Sequence, residues 1–319
     1  MSRPVFRIRP SYRQLLLVLV VVAGIYILLP QFGSFRASWQ LVRHPDVTDV
    51  LIAAGLTFAT YVAAGGTYRF LAFKPLILWR TVLVQLAGMF VNRLVPAGLG
   101  ALGINYLYLK RQRHTTAQAV TVAGMNNLIG ILGHGILLSA AVIFANQTLY
   151  RPVRHSSNRA FILELITVGV ALVVIAVLVF GRRKLAVALR DVRKQVFSYR
   201  SRPRSLVGAL GTSMVLTACN TFCLYVCLQA LGLSLPLSVV LVVFTLGVSA
   251  GEAVPTPGGL GGFEAGLAAG FVAYGIEPSQ ALAAAILYRL VSYWLPLAAG
   301  LAAFIASERL GLFIRPKPA

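Results

Sequence analysis

Four charged side chains stand inside long apolar runs of this chain: Arg93, Glu252, Glu264 and Arg289. An ionised group at the centre of a bilayer costs about 2.5–3.5 kcal/mol even on the lenient insertion scale, so each needs a partner or water. Two chemistries suit the set. The arginines and glutamates can neutralise one another as salt bridges that pin the surrounding segments. Alternatively they line a polar cavity, where Arg93 and Arg289 meet a phosphate while Glu252 and Glu264 meet a cation or carry a proton. The flanking residues fit the second chemistry. Asn92 precedes Arg93, Gly98 and Gly100 follow it, and Pro257, Gly258, Gly259 and Gly261 stand just before Glu264. Glycines let a ligand approach the backbone closely, and amides at a helix N-terminus carry partial positive charge towards phosphate.

These residues cluster at breaks in the apolar pattern. Proline removes a backbone donor and clashes with the preceding turn, so no helix runs undisturbed through Pro96 or through Pro255-Thr256-Pro257. In lipid, such breaks survive only inside protein or beside a wet cavity. Residues 95–103 and 257–264 share a Gly-Leu-Gly core, which makes a weak internal repeat. Paired Gly/Pro-interrupted segments in two halves of a chain point to a site near the membrane midplane.

The elements that must hold these residues follow from composition. The 319 residues include 29 Lys+Arg and 8 Asp+Glu, a net charge of +21, yet 58% are hydrophobic and only 12% charged. A disordered basic tail is poor in apolar residues, and a soluble domain carries about a quarter charged residues. Both are excluded, which leaves a polytopic membrane protein. Apolar runs occur at about 14–30, 47–68, 76–95, 117–145, 161–181, 205–231, 237–254 and 281–306, mostly near the ~20 residues that a spanning helix needs. Two shorter pieces, 97–109 and 258–275, follow the breaks. The first run lacks a good small-x-small cleavage site after it and reads as a retained span.

Basic residues orient the chain. With the N-terminus in the cytoplasm, 76–109 entering and returning on that side and 237–275 doing so from the other, 22 Lys/Arg fall in cytoplasmic segments and 5 outside. The C-terminus is then cytoplasmic too. The charge is therefore a topology signal, and no nucleic-acid partner is expected. Its densest block, the cytoplasmic loop 182–204, reads either as an interfacial helix attracting anionic lipid or as an ordinary basic loop.

Other residues have plainer roles. Cys219, Cys223 and Cys227 make a stripe of small residues on one helix face. His134 reads as a hydrogen-bonded packing residue, with a proton relay as the alternative. Gln85, Asn126 and Asn127 suit interhelical hydrogen bonds, and Trp39, Trp79 and Trp294 read as anchors near span ends. No nucleotide-binding loop, zinc spacing or serine elbow occurs, so no cofactor is expected.

Asn92-Arg93-Leu94-Val95-Pro96-Ala97-Gly98-Leu99-Gly100, the block from Pro255 to Ala265, and Leu287-Tyr288-Arg289-Leu290-Val291-Ser292-Tyr293-Trp294-Leu295-Pro296 resemble the lysylphosphatidylglycerol synthase transmembrane-region family. The resemblance runs through essentially the whole chain, and it implies a flippase-like protein of a bacterial or archaeal plasma membrane. Members such as the multiple peptide resistance factors add a cytosolic domain that aminoacylates phosphatidylglycerol. No such segment follows here before Ala319, so that activity is not expected of this chain. Other members are linked to hopanoid or polyprenyl-glycolipid pathways, which leaves the lipid open.

The expected protein is all-α and polytopic, a single transmembrane domain over 1–319. It has about eight spanning or near-spanning helices and two broken hairpins in an inverted repeat. Its first functional reading is movement of a phospholipid or lipid-linked headgroup between leaflets, without enzymatic activity. On this reading Asn92, Arg93, Gly98, Gly100, Glu252, Pro257, Gly258, Gly259, Gly261, Glu264 and Arg289 form the site, and Glu264→Gln or Arg93→Ala abolishes transport in a folded protein. The alternatives are an intramembrane transferase with Glu252 or Glu264 as general base, and a scaffold for a separately encoded lipid synthase docked on 182–204. Membrane lipids are the expected partners, with a cytosolic synthase and further copies of the chain as candidate protein partners.

Overall fold

The computed structural model describes residues 42, 45–94, 99–144, 196–254 and 256–313, and among them every extended element is helical. Helix α1 (Val47–Leu71) begins at Asp46, whose carboxylate accepts the amides of Thr48 at 2.8 Å and Asp49 at 3.3 Å, the usual capping solution for orphan donors. It runs antiparallel to α5 (Pro203–Gln229). At one end the Asp46 amide donates to the Ala230 carbonyl at 3.0 Å, and at the other the Tyr199 hydroxyl donates to Leu71 at 2.5 Å. Between them Thr57 meets the Cys223 thiol at 3.4 Å and Thr67 meets Thr212 at 2.9 Å. The cysteine stripe is thus packing against α1. Small residues on α1 allow this closeness. A Cβ on Gly65 would come within 2.9 Å of Val82, and one on Gly66 within 3.0 Å of Thr212.

Helices α2 (Leu78–Leu94) and α3 (Leu99–Arg111) form the first hairpin. They touch backbone to backbone, since a Cβ on Gly100 would lie 2.6 Å from the Val91 carbonyl oxygen. Gln85 on α2 donates to Asn105 on α3 at 2.8 Å, the interhelical bond expected of it. The open ends of the hairpin are tied together: the Lys74 amide donates to His114 Nε2 at 3.2 Å and its ammonium donates to the Arg113 carbonyl. Helix α4 (Thr116–Phe144) then runs parallel to α5, with Ser213 3.4 Å from the Ile129 carbonyl and Leu137 and Ala141 beside Thr221 and Phe222.

The second hairpin, α6 (Leu237–Ala253) and α7 (Gly262–Ala273), starts from the opposite end of α5. Helix α8 (Pro278–Arg289), a π turn (Leu290–Trp294) and α9 (Leu295–Arg309) follow as one 32-residue apolar span. That span finishes beside the first hairpin's open end, where Arg111 donates to the Gly311 carbonyl at 3.0 Å. The two hairpins therefore enter from opposite ends of the bundle.

Length separates the two kinds of element. Helices α1, α4, α5 and the α8–α9 span are long and apolar enough to cross a membrane. At 1.5 Å per residue the hairpin helices reach only about 18–26 Å, short of the ~30 Å hydrocarbon core. The chain is a polytopic, all-α membrane protein. The expected runs 14–30 and 161–181, and residues 182–195 of the basic loop, lie outside the described residues.

Charge is polarised along this frame. Arg69, Lys74, Arg80, Lys110, Arg111, Arg113, Arg200, Arg202, Arg204 and Arg309 all stand towards the end where the first hairpin opens. Asp46, Asp49 and Glu277 stand at the other. One expectation fails: Trp294 is half exposed at the middle of the α8–α9 span and is no interfacial anchor. The aromatic signal misleads there because Trp294 sits at a π turn, where the helix face rotates.

Candidate functional site

The end of α2 and the turn between α6 and α7 meet around a cavity of about 650 Å³. Asn92 of α2 lines it from one side. Val248, Gly251 and Glu252 of α6, Val254, Thr256, Gly258 and Gly259 of the following turn, Phe263 of α7 and Arg289 of α8 line the rest. Its depth follows from Arg289, the twelfth residue of a 32-residue span. That places the guanidinium about 17 Å from the nearer helix end, well inside the hydrocarbon thickness.

The turn between α6 and α7 owes its shape to glycine. Gly258, Gly259 and Gly261 have φ of +64°, +65° and +86°, a region that L side chains rarely adopt. Gly258 lies under the Tyr293 ring, and Gly259 lies against the Gly251 carbonyl, where a Cβ would approach to 2.7 Å. Glu264 stands in the first turn of α7 and its Oε2 accepts the Gly261 amide at 2.7 Å, so the carboxylate closes the helix N-terminus.

Glu264 is also the partner of Arg289. Its Oε1 lies 2.6 Å from the Arg289 Nε in a buried ion pair. A second donor of Arg289, Nη2, holds the Gly258 carbonyl at 2.8 Å. The guanidinium is 4.5 Å from the Phe263 ring centre and 4.7 Å from that of Tyr293, and Phe263 stacks on Tyr288 at 5.8 Å. Arg289 is only 8% exposed, yet it lines the cavity, and its Nη1 has no hydrogen-bond partner among the described residues.

Arg93 is held otherwise. It stands in the last turn of α2 and donates Nη2 to the Ser292 carbonyl at 3.1 Å and Nη1 to the Tyr293 carbonyl. Both acceptors belong to the π turn. Pro296 has no N–H, so the carbonyl four residues before it, Ser292, loses its ordinary helical donor, while the Leu295 amide reaches back to Leu290. Arg93 fills the deficit. Its guanidinium also lies 3.9 Å from the Tyr293 ring centre.

Glu252 completes the set. It is exposed to the cavity and makes no hydrogen bond or ion pair with the described residues. Two turns earlier on α6, Thr245 bonds His134 Nε2 at 2.9 Å, so His134 has the packing bond expected of it.

Of the residues picked from the sequence, Asn92, Glu252, Gly258, Gly259 and Arg289 line the cavity itself. Gly261 and Glu264 hold the turn that forms its wall, and Pro257 is not among the lining residues. Asn92 Oδ1 also accepts the Ala101 amide at 3.4 Å, serving the start of α3. Arg93 and Gly100 lie outside the lining, one gripping the last span and the other packing α2 on α3. Gly98 lies outside the described residues. Glycine amides are less free than the sequence suggested, since that of Gly261 is taken by Glu264 and that of Gly259 by the Thr256 carbonyl. Sequence reasoning missed Tyr293, Phe263 and Thr256. A Tyr four residues after a membrane-buried Arg was the available signal for the first.

The family described as the lysylphosphatidylglycerol synthase TM region matches residues 14–300 of the chain. No curated protein matches it. The chain belongs to that family, which ties it to a membrane-lipid role.

Proposed function

We propose, taking membership of that family as the premise, that this protein moves a phospholipid or lipid-linked headgroup between the leaflets of a bacterial or archaeal plasma membrane. The observation that carries the reading is the free carboxylate of Glu252 in a cavity that Asn92, Thr256 and Arg289 also line, where two opposed hairpins meet. A carboxylate at membrane depth without a cationic partner is costly, and a cationic or zwitterionic headgroup supplies that partner. Arg289 supports the other half of such a headgroup. Its charge is balanced by Glu264, and its Nη1 is left to donate to a phosphate oxygen.

The acyl chains stay in the bilayer while the headgroup passes, which avoids most of the cost of taking charge through hydrocarbon. Opposed hairpins give the cavity one wall from each membrane face, as an alternating or scrambling cycle needs. The basic end is assigned to the cytoplasm by the excess of Lys and Arg there. The whole chain acts as one membrane domain in this reading, and anionic phospholipids meet the basic end.

Leaflet exchange of fluorescent phospholipids by the purified protein in liposomes tests this directly. Exchange above that of protein-free liposomes supports the reading, and none with any headgroup contradicts it. The free Glu252 carboxylate also suits a general base in an intramembrane transferase. Product formed from a lipid-linked substrate and a soluble donor would favour that second reading.

A further inference from the structure

Arg93 is not among the residues that line the cavity, yet it is tied to two elements that form the cavity wall. Asn92, its neighbour, lines the cavity from α2. The Tyr293 ring that Arg93 covers also covers Arg289 and packs on Gly258. The carbonyls that Arg93 holds are those of Ser292 and Tyr293, at the kink of the only long span that carries a π turn among the described residues.

We propose that Arg93 is a positioning residue, a latch that fastens the end of α2 to the kink of the last span, and that its release opens the cavity towards the basic end. This inference rests on the cavity being the headgroup site. Three features make the latch releasable. Arg93 has no carboxylate partner among the described residues, so its grip is two hydrogen bonds to carbonyls, one with the Tyr61 hydroxyl of α1 and one ring contact. Its charge is opposed by the nearby guanidinium of Arg289. The acceptors exist because Pro296 leaves the Ser292 carbonyl without a helical donor, and a π turn is a common place for a helix to change shape. The direction of opening follows from topology: α2 starts at the basic end and stands between that end and the cavity.

Accessibility of the cavity to a membrane-impermeant maleimide tests the latch without requiring transport. Val248 lines the cavity and carries the probe as Val248→Cys, with the chain lacking the added cysteine as background. Labelling is followed separately from each membrane face in oriented vesicles. Arg93→Met raises the labelling rate severalfold from the basic end and leaves the other face unchanged. Pro296→Ala acts in the same direction, since the restored N–H competes with Arg93 for the Ser292 carbonyl. Arg93→Lys gives a smaller rise, because one ammonium cannot span both carbonyls and stack as a plane. Equal labelling in Arg93→Met and its parent, or an equal rise from both faces, overturns the proposal. Should Arg93→Met fail to fold, unchanged labelling in Pro296→Ala overturns it alone. Lipid exchange is read in a separate assay, so its absence would count against the transport function and leave the labelling result standing.

Discussion

Glu264 and Arg289 form a buried ion pair, Oε1 to Nε at 2.6 Å, across the joint between the α6–α7 turn and the last span. The same carboxylate caps α7 through its other oxygen, so both of its oxygens are engaged. Glu252, on the same cavity, has neither kind of partner among the described residues. Two acids that look equivalent in the sequence therefore differ in the structure: Glu264 builds the wall, and Glu252 faces the cavity.

That division predicts opposite responses to the same substitution. Glu264→Gln leaves Arg289 buried without its counter-charge, and breaking a buried pair costs about 3–5 kcal/mol. Thermal unfolding in detergent should show a large loss for Glu264→Gln. Glu252→Gln should unfold at nearly the parent temperature, because it removes no hydrogen bond or ion pair among the described residues. Equal stability of both variants would contradict the assignment.

The glycine turn makes a second prediction. Gly259→Ala forces an L side chain to φ +65°, which costs about 1–2 kcal/mol from the backbone alone. The new Cβ would also stand 2.7 Å from the Gly251 carbonyl oxygen. Gly103→Ala makes the control, since its Cβ would meet nothing within 4 Å. Unfolding measurements should separate the two clearly, with Gly103→Ala close to the parent.

Much of this frame was legible because lipid narrows the choices. The break expected after Val254 is a turn inside protein, and the inverted placing of the hairpins followed from counting Lys and Arg, while Pro96 and Pro255 lie outside the described residues. The cysteine stripe, His134 and Gln85 took the packing roles that their spacing suggested. Pairing was not legible. Nothing local tells Glu264 from Glu252 as the partner of Arg289, because the choice is made by the α7 N-terminus turning its third residue towards α8. The partner of Arg93 was hidden for another reason. It is a pair of backbone carbonyls some 200 residues away, exposed by the missing N–H of Pro296, and side-chain charge counting cannot see it.

Acid should loosen the open end of the first hairpin. His114 is buried there, with Nδ1 3.1 Å from the Leu109 carbonyl and Nε2 accepting the Lys74 amide, so the neutral ring fits and the imidazolium does not. Burial, with some help from the Lys74 charge, holds its pKa below the usual 6.5. A histidine depressed in the folded state stabilises fully above its unfolded pKa and loses that contribution as pH falls through the folded value. Stability should therefore drop as pH falls below about 6.5. His114→Gln, which can donate and accept but does not titrate, should flatten that part of the profile. An unchanged slope in the variant would remove His114 as the cause.

The proposed transport rests on the free carboxylate of Glu252. The most direct measurement is leaflet exchange of a fluorescent aminophospholipid in liposomes by the parent protein and by Glu252→Gln, at matched reconstitution and with unfolding temperatures recorded for both. The expected result is exchange by the parent above empty liposomes, and its loss in Glu252→Gln without loss of stability. Undiminished exchange by the Glu252→Gln protein would contradict the claim that this carboxylate receives the headgroup.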